Sequence, residues 1–144
     1  MPERGVLLLA RAAGRDLLLS ASDLFEVLPA SPITPLPGPL LGIAGVMLYQ
    51  GEFLPVLAWE DLPGVDGTPV PPVAMAILKR RLALPLEFLS GALEPGQGGW
   101  QINPPGEDPW APFLVSVCAS EGPNLPFLDP DKLIDWLHRR RSER

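Results

Sequence analysis

Along most of this chain apolar residues come in short runs of strand length, and each run stops at glycine, proline or charge. GVLLLA and DLLLSA stand on either side of RAAGR, where Gly14 can take a positive φ and the arginines stay in water, so the first predicted element is a hairpin. SASDLFEVL predicts a single helical turn, capped by Ser22 with Asp23 at its positive end, before Glu26 and Val27 resume an extended path. Pro29, Pro32, Pro35, Pro37 and Pro39 each remove a backbone donor and push the preceding residue toward extended geometry. Residues 30–39 therefore read as edge strand or irregular loop.

Residues 45–49 and 52–58 flank Gln50-Gly51, where glycine supplies the φ of a tight turn, and this pair reads as a central hairpin. Pro55 cannot donate to a ladder, which predicts an edge or a bulge at that point. Residues 59–72 read as a loop containing the turn Val65-Asp66-Gly67. PVAMAILKRRLALPLEFL predicts a second hairpin that turns around Lys79-Arg80-Arg81, a solvated basic tip. Residues 94–108 are rich in glycine and proline and read as a long loop, with a short strand at 100–102. PFLVSVCAS is a strand that pairs with residues 124–128 across Glu121-Gly122-Pro123. Only the end has helical spacing: Asp129 is the N-cap, Pro130 suits the first turn, and Leu133, Ile134, Trp136 and Leu137 form the apolar stripe. Arg139, Arg140 and Arg141 complement the helix dipole as a basic tip. Eight to ten short strands with one early turn and one terminal helix predict an all-β barrel or sandwich.

Twenty prolines and fourteen glycines in 144 residues approach the fraction where disorder sets in, but 47% hydrophobic and 19% charged content argue for a folded chain. A single domain of this length buries about 68% of its unfolded surface and supports one or two small cores. The net charge of −6 repels a phosphate backbone, which argues against nucleic acid as a partner. The single Cys118 excludes an internal disulfide and a multi-cysteine metal site, and fits a reducing compartment. Residues 6–10 are too short an apolar run for a signal-peptide core or a membrane span. The expectation is a soluble cytoplasmic protein without direct membrane insertion.

Chemistry-bearing residues are sparse. His138 is the only histidine and stands near a C-terminus expected to be flexible, so neither a Ser/His/Asp triad nor a His-rich metal site can be assembled. Cys118 lies in an apolar strand without a neighbouring cation and reads as a buried structural thiol. GQGG lacks the Lys-Ser/Thr of a phosphate-binding loop. Glu60 and Asp61, as neighbours on a strand end, point to opposite sides and suit solvation better than acid–base work. No catalytic residue, no metal site and no cofactor is expected, and the chain reads as a non-enzyme.

The stretch from residue 24 to 62 carries a family resemblance. Glu26-Val27 in an extended segment, Pro37, Gly45 eight positions on, and then Gln50-Gly51, Glu52, Phe53-Leu54, Pro55-Val56 resemble the first half of a CheW-like domain. RLALPLEFLSGAL, with Leu86-Glu87 where the family often has Val-Asp, and NLPFLDPDKLIDWL, with its closing strand, Leu-Asp-Pro turn and helix, are similar to the second half. The resemblance covers the whole chain, taken as one domain of residues 1–144. It implies an all-β fold of two small SH3-like β-barrel subdomains packed together with a short C-terminal α-helix, dividing near residues 30–85 against the remainder. It also implies a non-catalytic adaptor that couples the cytoplasmic tip of chemoreceptors to the regulatory domain of a CheA-type histidine kinase, recruited from the cytoplasm to receptor arrays.

One departure bears on partner choice. The family commonly shows Asn-Leu-Arg where this chain has Leu48-Tyr49-Gln50, and a neutral amide cannot replace the forked donors of arginine. The expected partner-binding residues are Glu26, Val27, Leu48, Tyr49, Gln50, Gly51, Glu52, Phe53 and Glu87. Among them Leu48, Tyr49, Gln50 and Phe53 are expected to make a more apolar surface, with Tyr49 and Phe53 as anchors if exposed. Against this, strand alternation is expected to turn at least half of these four into the core, where each apolar side chain contributes ~1.5–3 kcal/mol. Two alternatives stay open: a small-barrel module binding another peptide or small ligand, and a degenerate paralogue. The sequence does not choose between flagellar chemotaxis and a type IV pilus pathway.

Overall fold

A computed structural model describes residues 5–67, 70–96, 98–119 and 122–142. Among these residues the chain forms eleven strands and one α-helix. The strands are β1 (Leu7–Ala12), β2 (Arg15–Ser20), β3 (Leu24–Pro29), β4 (Ile43–Tyr49), β5 (Glu52–Leu57), β6 (Ala74–Leu78), β7 (Ala83–Leu86), β8 (Phe88–Leu93), β9 (Gln101–Asn103), β10 (Leu114–Cys118) and β11 (Leu125–Leu128). The helix α1 spans Pro130–Ser142, and short 3-10 turns lie at Ala21–Asp23, Trp59–Asp61 and Ala111–Phe113.

The three expected hairpins form. Gly14 (φ 73°) turns β1 into β2 together with Ala13 (φ 53°), the two left-handed residues a tight hairpin turn needs. β4 and β5 pair across Gln50-Gly51, and β6 and β7 pair across Lys79-Arg80-Arg81. Asp129 caps α1, its Oδ1 accepting from the backbone N–H of Asp131 at 3.0 Å and of Lys132 at 3.3 Å.

Two sheets result. Residues 24–86 build a five-stranded sheet in the order β3-β6-β7-β5-β4, while the two ends of the chain combine into a six-stranded sheet, β8-β1-β2-β11-β10-β9. The run LALPLEFL, expected as one strand, is split at Glu87 into β7 of one sheet and β8 of the other. The reason lies across the seam: the Glu87 N–H donates to Arg11 O at 2.8 Å, and β8 then pairs with β1.

Other expectations need correction. Pro55 is at neither an edge nor a bulge; β5 lies between β4 and β7, and the irregularity in its pairing falls between Ile43 and Gly45. Val46, opposite Pro55, spends its N–H and C=O on Thr34, so the missing proline donor faces the β7 side, where only Val56 and Ala83 pair. Ser22 is not a cap; the turn begins after Ser20, whose hydroxyl meets that of Ser22 at 2.8 Å. Glu60 and Asp61 sit in a 3-10 turn, where Asp61 Oδ2 accepts from the Gly42 N–H at 2.8 Å. Cys118 is half-buried beside β9, with Sγ 3.8 Å from Asn103 Nδ2, and His138 is exposed on α1. The strand expected at 100–102 forms at Gln101–Asn103, while Glu121 of the expected turn lies outside the described residues.

Each sheet has a small core of its own, and the largest buried cluster lies between them. Met47, Leu54, Val56, Met75, Ile77 and Ala83 fill the five-stranded sheet, and Leu7, Leu18, Trp100, Val117 and Phe127 the six-stranded one. The joining cluster includes residues of both sheets and of α1, and a column of rings runs through it. Trp59 stacks on Trp110 at 5.8 Å, Trp110 meets Phe113 at 5.8 Å, and Phe113 meets Trp136 of α1 edge-on at 5.4 Å. The indole N–H groups of the stacked pair are satisfied, Trp59 Nε1 donating to Pro85 O at 2.5 Å and Trp110 Nε1 to Pro63 O at 2.8 Å. The Arg15 guanidinium lies 4.2 Å over the Trp110 ring and forks onto Asp108, with contacts of 3.0 and 2.5 Å.

Trp110→Ala should therefore cost about 3–5 kcal/mol, read as a lower urea midpoint at unchanged slope. A loss under about 1 kcal/mol would show that the column does not join the sheets. A second expectation concerns pH. The Arg15 hydrogen bond, aided by the Trp110 N–H, holds the Asp108 carboxyl below its ordinary range against an opposing effect of burial. The unfolded chain then takes up this proton first, so the contribution is full above about pH 4 and is lost as the pH falls through the depressed value. Unfolding from about pH 6 to pH 2 should show a shallower acid loss in Asp108→Asn than in the parent chain.

Candidate functional site

A two-residue hairpin turn of the primed type needs positive φ at both central residues, and Gln50 (φ 49°) and Gly51 (φ 80°) supply it between β4 and β5. That turn fixes the register, with Leu48 opposite Phe53 and Tyr49 opposite Glu52. Alternation sends Met47 and Leu54 into the core and leaves Leu48 and Phe53 on the other face, 63% and 69% exposed, so that none of Leu48, Tyr49, Gln50 and Phe53 is buried where at least half were expected to be. The hairpin is also clamped at its base. Thr34 and Val46 exchange two backbone hydrogen bonds of 2.8 and 2.9 Å, and a Cβ on Gly45 would lie 2.3 Å from Thr34 O. Only glycine admits the proline-rich segment this close to β4.

Beside the hairpin opens a cleft of 520 Å³ lined by Phe25, Glu26, Tyr49, Gln50, Glu52 and Arg81. Tyr49 packs against the edge of the five-stranded core and donates its phenol O–H to Glu26 Oε1. Glu52 forms an exposed ion pair with Arg81. Phe25 enters the cleft because the β3–β6 register shifts between Leu24 and Glu26, which leaves its ring 58% exposed beside the buried Leu24.

The structure thus brings Glu26, Tyr49, Gln50 and Glu52 into one cleft, with Gly51 at the turn and Leu48 and Phe53 on the adjoining outer face. The two expected anchors part company: Phe53 is exposed, whereas the Tyr49 hydroxyl is already engaged. Val27 is half-buried against the cluster between the sheets. Glu87 stands elsewhere, at the joint between β7 and β8, where its carboxylate accepts from the Gly14 N–H at 3.3 Å. It lines a second, mostly apolar cavity of 270 Å³ with Trp59, Val65, Pro72 and Pro85.

Phe25 and Arg81 were missed by sequence reading. The FEVL run shows no sign of a bulge, and the basic triplet reads as a solvated tip. Arg81 takes φ 62° at the turn, and its side chain, though still exposed, pairs with Glu52 of β5. Among the described residues no group of three or more His, Cys, Asp or Glu could hold a metal ion, and no helix is long and apolar enough to cross a membrane.

The hydrogen bond to Glu26 raises the Tyr49 pKa above its ordinary value, because ionisation would lose the donor and set two negative charges together. Tyr49 is the only tyrosine in the chain, so an ultraviolet phenolate titration reads this site alone. Its midpoint should fall in Glu26→Gln; an unmoved midpoint would mean that the bond does not persist in solution.

A family model described as a CheW-like domain matches residues 6–138. Among solved structures, the scaffolding protein TtCheW from Thermoanaerobacter tengcongensis superimposes with a TM-score of 0.70 at 17% sequence identity, covering 90% of this chain and 86% of that one. No curated protein matches the chain significantly.

Proposed function

The chain belongs to the CheW-like family, with the all-β fold of two SH3-like subdomains and a C-terminal helix, and we propose that it is a non-catalytic adaptor between chemoreceptors and a CheA-type histidine kinase. In this reading it acts in the cytoplasm and is recruited to receptor arrays. The observation that supports it is the exposed cross-strand pair Leu48–Phe53, set on a rigid hairpin beside the charged cleft of Glu26, Glu52 and Arg81. Covering an aromatic anchor of this kind contributes about 1.5–3 kcal/mol to association, and the surrounding charges set register and partner choice. Nothing in the family match favours the alternative of a barrel module for an unrelated ligand.

Gln50 stands where the family commonly has arginine, yet the cleft does not lack a guanidinium. Arg81 brings one from the β6–β7 turn to the same cleft. The partner surface is thereby more apolar at the hairpin itself and keeps its positive charge at the rim. Phe53→Ser should weaken binding of the cognate CheA regulatory domain by about ten- to a hundredfold in calorimetric titration while leaving the fold intact. Gln50→Arg should change affinity measurably; unchanged binding in both variants would remove the hairpin from the interface.

A further inference from the structure

The β4–β5 face runs on into a groove that shares only Arg81 with the cleft of the adaptor reading. Between α1, the proline-rich segment and the β6–β7 turn lies a cavity of 370 Å³. Its floor is apolar, formed mainly by Leu36, Leu40, Ile43, Ile134 and Leu137, and Leu40 is 42% exposed. Its charged lining is of one sign, Arg80, Arg81 and Arg141, beside the imidazole of His138, with no carboxylate among the lining residues. In a chain of net charge −6 such a concentration is not a sample of the average surface.

The helix explains the arrangement. Ile134, Leu137, His138 and Arg141 are spaced i, i+3, i+4 and i+7, so they form one stripe that passes from apolar to basic as it leaves the core. Arg141 is held over the groove, its Nε donating to Leu41 O at 3.2 Å. Across the groove Arg80 is paired with Asp131 at 2.6 Å, and both side chains are at least half exposed, so the bond is readily exchanged for another carboxylate.

We propose that this groove binds an acidic amphipathic segment of a partner protein, with apolar side chains on the Leu36–Leu137 floor and carboxylates on the arginine rim. A small anion would engage the rim and leave the floor to water, and an uncharged apolar segment could not take the place of the exposed carboxylates that now pair with Arg80 and Arg81. The inference does not require the kinase reading, because it uses neither Phe53 nor Glu26, and Arg81, the residue the groove shares with the Glu26 cleft, is left unchanged in the test.

The test uses the full chain and two labelled helical peptides, one with leucines on one face and glutamates elsewhere, the other with lysines in place of the glutamates. In fluorescence anisotropy the glutamate peptide should bind and the lysine peptide should not, and binding should weaken with added salt. The double variant Arg80→Glu/Arg141→Glu, shown to be folded by circular dichroism, should lose about tenfold in affinity for the acidic peptide. Leu40→Glu, on an exposed loop, should lose a similar factor without touching the existing charges, and with Arg80→Glu alone it carries the test if the double variant does not fold. Phe53→Ser should leave peptide binding unchanged, which separates failure of this proposal from failure of the adaptor reading. Equal binding of the two peptides, or full affinity in both Leu40→Glu and a folded arginine variant, overturns the proposal.

Discussion

The packing of Trp59, Trp110, Phe113 and Trp136 against one another is the constraint on which the rest of the molecule depends. Among the described residues the five-stranded sheet buries six side chains in its own core and the six-stranded one five, whereas twenty-one lie in the cluster between them. Neither sheet has enough interior to stand alone at this size. Arg15 and Asp108 close the column from the water side, where a guanidinium stacked on an indole and forked to a carboxylate satisfies both polar groups without burying an unpaired charge.

Because stability is concentrated between the sheets, the far face of β4 and β5 is left free. The hairpin does not need Leu48 and Phe53 for its own packing, since Met47 and Leu54 already fill the interior. It is nevertheless rigid: the Gln50-Gly51 turn fixes one end and the Thr34–Val46 bridge fixes the other. A rigid strand pair with an exposed ring loses little conformational entropy on binding, which suits it to hold a partner in one orientation. The helix plays a comparable double part. Leu133 and Trp136 close the joint, while Ile134, His138 and Arg141 face the groove toward the proline-rich segment.

Much of this was readable from local pattern. Hairpin turns announce themselves through Gly14 and Gly51, and the terminal helix through Asp129 and its stripe. What local pattern missed are events that depend on a distant strand. The break at Glu87 follows from a bond to Arg11, the accommodation of Pro55 from the pairing of Val46 with Thr34, and the exposure of Phe25 from a shifted register against β6. Arg11, Thr34 and β6 each lie more than twenty residues from the position they control.

The site shows the same division. Alternation and turn chemistry in the sequence alone determined that one face of residues 45–57 would be core and that Gln50-Gly51 would lie at a turn, because both are properties of the local backbone. Only the tertiary structure decided that Tyr49 would be tied to Glu26 and that Phe53 would stand free. It also brought Arg81 into the cleft where the family's arginine is missing, and it set Glu87 apart from the other expected contacts. Side-chain reach across strands depends on register and on which residues meet at the seams between sheets, and long-range packing sets both.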